Sequence, residues 1–139
     1  VLFGVGKRAT QIPEWISYVQ LPSQKDLCQL YNKAAIVLAP SWTEGWGLVP
    51  SEGMMCGCAL VATDIGGHRE FVIDHKTALL CEPKNSEGLA KNIVELLTDD
   101  AFRIRLAYAG NKYIKQFTWE RAVNSFEQAI KTKNSHNHN

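Results

Sequence analysis

The sequence predicts an α/β domain built on a parallel, helix-covered sheet. Short apolar runs, the longer amphipathic stretches between them and a helical C-terminal third carry that prediction. The apolar runs Leu2 to Val5, Ile16 to Val19, Ile36 to Ala39, Ala59 to Thr63 and Ala78 to Cys81 have the length and composition of strands.

Between them, Gln24 to Ala34 places Leu27, Leu30, Tyr31 and Ala34 at helical spacing. Pro50 to Cys56 opens with proline, a residue favoured at the first helical position, and is expected to form a helix. Gly66 and Gly67 read as a turn at the C-terminal edge of a strand, with Arg69 to Ile73 as a short helical turn after them. Asn85 and Ser86 cap a helix whose apolar stripe is Leu89, Ile93, Leu96 and Leu97. From Asp100 the chain is helical to Phe117, and Thr118-Trp119-Glu120 restarts a helix carrying Ala122, Phe126, Ala129 and Ile130. Trp119 and Phe126 are expected to bury this last helix against the domain.

No internal repeat, low-complexity linker or composition shift divides the chain, so residues 1–133 read as one domain and 134–139 as a polar tail, expected to be disordered. In that tail asparagines alternate with His136 and His138. A length of 139 residues suffices for one core. Hydrophobic residues at 45% and charged residues at 21% are ordinary for a globular protein, and no apolar run reaches the length of a membrane span. A net charge of +1 with scattered lysines and arginines gives no footprint for nucleic acid. The four cysteines lack the CxxC pairs of a zinc site and read as buried thiols in a reducing cytoplasm; no metal and no cofactor is expected. The opening Val1-Leu2-Phe3-Gly4-Val5-Gly6 has neither an initiator Met nor a signal-peptide pattern and reads as the start of an excised piece.

The segment from Pro40 to Glu52 sits where a strand ends and a helix begins, the place where parallel sheets bind ligands. Gly45 and Gly47 let the backbone approach a ligand closely, and the following helix offers unpaired N–H groups and a positive dipole end that would stabilise a pyrophosphate. Glu44 and Glu52 have seven residues between them and can face one pocket. A carboxylate accepts two hydrogen bonds side by side, which suits the vicinal hydroxyls of a sugar. The simpler alternative makes Glu52 a dipole-stabilising residue at the third helical position and Glu44 an exposed loop charge. A glycosidase acid/base pair is disfavoured by the glycines and the helix start beside the carboxylates. His68 and His75 read as solvated loop residues. Trp42 flanks Glu44 and can stack on a sugar, Trp46 is expected to pack instead, and Cys56-Gly57-Cys58 reads as structural thiols at a helix end.

The same segment closely resembles the E-x7-E signature of retaining glycosyltransferases built from two facing Rossmann-like domains, the GT-B fold, family 4 type, glycosyl transferases group 1. The resemblance covers four ordered blocks: Leu30-Tyr31 to Pro40-Ser41, Glu44 to Gly57, Leu60-Val61-Ala62-Thr63 to Gly66-Gly67 with Glu70, and Leu79-Leu80 to Pro83. It implies the C-terminal, donor-binding half of such an enzyme, a Rossmann-like sheet with helices on both faces. It places Glu52 on the ribose hydroxyls, and Glu44 with the backbone of Gly45, Trp46 and Gly47 around the donor sugar, Glu44 lying at the reacting centre. Leu48 and Val49 would offer N–H groups to the diphosphate, Val19 would lie against the nucleobase, and Gly66 and Gly67 would border the sugar. The chain departs from the family at Gln20 and Ala78, where glycine is usual, and at Gly53, where alanine is usual.

The resemblance further implies transfer of a sugar from a nucleoside diphosphate sugar to an acceptor hydroxyl with retention of configuration, in polysaccharide or glycolipid synthesis. Partners are the nucleotide-sugar donor and a missing N-terminal acceptor domain, through which any membrane association would come. The family's diphosphate-binding Arg and Lys belong to earlier segments, so the pocket is expected to be incomplete, and the isolated chain to bind nucleotide weakly and transfer nothing. Alternatives are a non-catalytic nucleotide-binding α/β module and a nucleotide-sugar epimerase of the same build.

Overall fold

The computed structural model describes residues 1–135. In chain order the elements are β1 (Leu2–Gly4), β2 (Tyr18–Gln20), α1 (Gln24–Lys33), β3 (Ile36–Ala39), α2 (Leu48–Met55), β4 (Ala59–Thr63), α3 (Gly66–Arg69), β5 (Leu79–Cys81), α4 (Ser86–Thr98), α5 (Asp100–Ile114) and α6 (Trp119–Ser135). All named strands pair in parallel, as expected, but they divide between two sheets. One is β1 with β2, Leu2 opposite Tyr18; the other has the order β3-β4-β5, with Ile36 opposite Ala59 and Val61 opposite Leu79.

The centre of the molecule is β4, whose residues are all buried and whose side chains alternate between two faces. Leu60 and Ala62 join Tyr31 of α1, Val37 and Ala39 of β3, Met54 of α2, and Phe71 on one face. Ala59 and Val61 join Leu79, Leu96 of α4 and Leu106 of α5 on the other. A parallel strand covered on both sides is largely apolar, and each large apolar side chain buried there contributes about 1.5–3 kcal/mol.

Helix α1 starts from a capping box in which Asp26 N–H donates to Ser23 Oγ at 3.2 Å and Ser23 N–H to Asp26 Oδ2 at 3.1 Å. Helix α2 packs so closely on β3 that a Cβ at Gly53 would lie 2.6 Å from Val37 Cγ1, which explains glycine where the resembled family usually has alanine. The C-terminal end of α2 is closed: Asn111 Nδ2 donates to the carbonyls of Met54 at 2.9 Å and Met55 at 2.8 Å, and Gly57 follows with φ +87°.

Several expectations are corrected. Gly66 and Gly67 form the first turn of α3, which ends at Arg69, so the helical turn lies earlier than Arg69 to Ile73. Helix α2 begins at Leu48, two residues before Pro50, because Gly47 in the left-handed region serves as its N-cap. On α4, Leu96 is buried and Leu89 and Ile93 pack beside it, but Leu97, on the next residue round the helix, faces out. Helix α6 does not bury its stripe: Trp119 is 84% and Phe126 67% exposed, with Val123 and Ile130 exposed beside them. Helix α5 ends at Ile114 and α6 starts at Trp119, and no element covers this face of α6 among the described residues. Of the cysteines only Cys58 is buried, and Cys28 is exposed. Helix α6 runs to Ser135, and His136 and His138 lie outside the described residues. No helix among the described residues is long and apolar enough to cross a membrane.

Candidate functional site

The site is built where β3 passes through the loop 40–47 into α2. Gly47 takes φ 93° and ψ 82°, and a Cβ there would lie 2.9 Å from Pro50 Cγ and 3.1 Å from His68 Cδ2, so both backbone and packing require glycine. The first helical bond of α2 runs from Ser51 N–H to Gly47 O at 3.3 Å. The N–H groups of Leu48 and Val49 precede it, and Pro50 has none. No side chain caps this end and its first turn holds no acidic residue, while Leu48 and Val49 are exposed. An open, positive helix terminus of this kind stabilises an anionic group.

With α2 starting at Leu48, Glu52 is its fifth residue, in the second turn, which overturns a dipole-stabilising role at the third position. Its carboxylate is held instead by Tyr31, whose hydroxyl donates to Glu52 Oε2 at 3.1 Å. Burial, and then the charge of Glu52, push the Tyr31 phenol above its ordinary range, so it remains a donor. Tyr31, Ser51 and Glu52 with Trp46 and Phe117 line a cavity of about 310 Å³ between α1, α2 and the end of α5. Glu44 does not line it. Its carboxylate accepts from Ser41 Oγ at 2.8 Å on the exposed loop, so this cavity does not bring the two carboxylates together.

Helix α3 supports the loop from below. Gly67 is packed on it so closely that a Cβ there would collide with the Glu44 carbonyl oxygen, whereas Gly66 faces open space. His68 is fully buried rather than solvated, because α3 turns its side chain inward behind Gly47. Its Nδ1 lies 2.7 Å from the Thr63 carbonyl, which only accepts, so Nδ1 carries the proton and Nε2 is left without a partner. Thr63 Oγ1 donates to the Ser41 carbonyl, tying the end of β4 to the same loop. Arg69 Nη2 donates to Asp64 Oδ2 at 2.7 Å, and this pairing holds the Asp64 carboxyl below the usual range.

Trp46 packs, as expected, on Phe71 at 4.8 Å and Phe117 at 5.2 Å between ring centroids. Trp42 is exposed, with Lys84 Nζ 4.7 Å above its ring. Val19 pairs with Phe3 in the small sheet and does not line the cavity. His75 is exposed beside Asp74. No group of three or more His, Cys, Asp or Glu able to hold a metal occurs among the described residues. Sequence reasoning missed Tyr31, Ser41 and the inward turn of His68. Only Ser41, three residues before Glu44, had a local signal.

Residues 9–113 match the family described as glycosyl transferases group 1. The chain belongs to this family. Among its group 1 relatives, an uncharacterized glycosyltransferase of Methanocaldococcus jannaschii is 33% identical over 130 residues, covering 88% of the chain and 37% of that protein. The O-antigen chain mannosyltransferase B of Escherichia coli is 31% identical over 131 residues, covering 94% of the chain and 34% of that protein. The chain therefore spans about a third of the length of these relatives. Among solved structures, the sucrose-phosphate synthase of Thermosynechococcus elongatus superposes with a TM-score of 0.75 at 29% identity, covering 86% of the chain and 30% of that one. Anabaena HepE in complex with UDP-glucose superposes with a TM-score of 0.69 at 25% identity, covering 85% and 32%. These neighbours bear out the α/β architecture and the group 1 glycosyltransferase resemblance.

Proposed function

We propose that the chain is the donor-binding half of a retaining glycosyltransferase that moves a sugar from a nucleoside diphosphate sugar to an acceptor hydroxyl, in polysaccharide or glycolipid synthesis. The observation that carries this reading is the uncapped start of α2, with free N–H groups at Leu48 and Val49, one turn from a carboxylate held by Tyr31. The diphosphate sits on those N–H groups, and the ribose hydroxyls donate to Glu52. The sugar lies by the Glu44–Gly47 loop and the open backbone of Gly66. Departure of the diphosphate concentrates negative charge where the helix end already points, which is transition-state stabilisation by fixed dipoles. Val19 flanks the base. The acceptor and the remaining basic groups come from a second domain, and no metal is needed. The four free cysteines support work in a reducing cytoplasm. The structure of HepE with UDP-glucose, at a similar fold, supports a nucleotide-sugar donor.

Calorimetric titration with UDP, GDP, ADP and their sugar conjugates tests the reading. One base is expected to be preferred, and Glu52→Ala to lose about 1.5–3 kcal/mol, the cost of removing a charged acceptor. Equal binding by wild type and variant contradicts it, and transfer by this chain alone contradicts the need for a second domain.

A further inference from the structure

Tyr31 is a buried polar group beside the site, and the mechanism above assigns it no part in binding. It is 4% exposed, and its ring packs edge-on against Phe3 at 5.9 Å. Its own carbonyl accepts from Cys58 Sγ at 3.2 Å and from Ala34 N–H at 3.0 Å. The hydroxyl reaches from α1 to α2, across 21 residues of sequence, and finds Glu52 Oε2.

We infer that Tyr31 is a positioning residue, its hydroxyl holding the Glu52 carboxylate in the orientation that receives a ribose diol, so that the pair sets the preference for ribose over 2′-deoxyribose. This rests on the donor-site reading above. A glutamate side chain in a solvent-facing cavity samples many rotamers, and fixing one on binding lowers affinity by roughly two- to twelvefold. Tyr31 removes that cost beforehand. The geometry leaves acceptor capacity for the ligand: an ionised carboxylate has about four lone-pair sites. Tyr31 takes one on Oε2, and the rest remain for two vicinal hydroxyls. The phenol, held above its ordinary range by burial and by Glu52, donates throughout the neutral region.

The test is a double-mutant cycle of Tyr31→Phe and Glu52→Ala on this chain, read by calorimetry with UDP and 2′-deoxyuridine diphosphate, and with the guanosine and adenosine pairs in parallel. Tyr31→Phe is expected to leave the unfolding temperature near that of wild type, since the ring and its packing stay. It weakens the ribonucleotide roughly two- to twelvefold, narrows the ribose-to-deoxyribose ratio, and adds nothing in the Glu52→Ala background. An unchanged ratio, or the same loss with and without Glu52, overturns the positioning role while leaving the donor site standing. Failure of wild type to bind any ribonucleoside diphosphate, or indifference to Glu52→Ala, brings down the donor-site reading and the inference with it. A readout that needs no variant is the ¹³Cζ resonance of Tyr31, expected to shift on addition of UDP and to shift less with the deoxy analogue. Equal or absent shifts overturn the proposal.

Discussion

At its C-terminal end helix α2 gives its last carbonyls to Asn111, turns through Gly57 and presses Met54 into the core; at its N-terminal end Gly47 offers no side-chain cap and Leu48 and Val49 stand exposed. One helix thus has one end satisfied by the protein and the other left for something else to satisfy. The closed end holds the open end in place, because a terminus that presents N–H groups to an anion is useful only if the helix behind it does not move.

If the two ends are built for different tasks, substitutions at each should move different observables. The largest effect belongs to the closed end: Met54→Ala, at a residue with no exposed surface, is expected to cost about 2–5 kcal/mol in chemical denaturation. At the open end the prediction reverses. Leu48→Pro puts proline at the first helical position, where it is tolerated, and deletes one N–H donor; stability should change by less than about 1 kcal/mol while UDP binding weakens by about 1.5–3 kcal/mol in the calorimeter. Loss of fold without selective loss of binding would erase the contrast between the ends.

Gly53→Ala probes the packing that fixes the helix on β3. The added methyl meets Val37 and should cost about 1–3 kcal/mol, and Val37→Ala in the same chain should recover part of that loss, because the two side chains compete for one space. A thermal melt of the two single variants and the double variant reads it directly. The smallest effect is expected on α6. Phe126→Ala removes an exposed ring and should change stability of this chain by less than about 0.5 kcal/mol, against the multi-kilocalorie cost at Met54.

The legible parts of the fold were those in which local pattern and burial coincide. The run Ala59–Thr63 is buried end to end because β4 lies between helices, whereas Ile36–Ala39 buries Val37 and Ala39 and leaves Leu38 exposed; the bounds of both match those read from sequence. Pro50, a familiar helix opener, points to a start two residues late, whereas the residue that starts α2 is Gly47, whose left-handed backbone no composition rule announces. The stripe on α6 predicts burial that the structure does not show, because periodicity reports that a face is apolar but not what it meets. At the site, the glycines and carboxylates were found in the sequence, but the partner of Glu52 was not: Tyr31 lies on a different helix, and its own periodicity says only that it faces the core. His68 escapes the sequence for a related reason, since its burial depends on where α3 places its ring behind Gly47.

The central claim, that the open end of α2 is where a nucleotide binds, is tested most directly by titrating UDP into the ¹⁵N-labelled chain and following the backbone amides. The account predicts that the largest shifts fall on Leu48, Val49, Ser51 and Glu52, with Gly66 and Gly67 next, and that the amides of α4 and of α5 before its cavity-lining end at Ile114 stay in place. Shifts centred on α4, α5 or the β1–β2 ribbon, with the start of α2 unmoved, would contradict it.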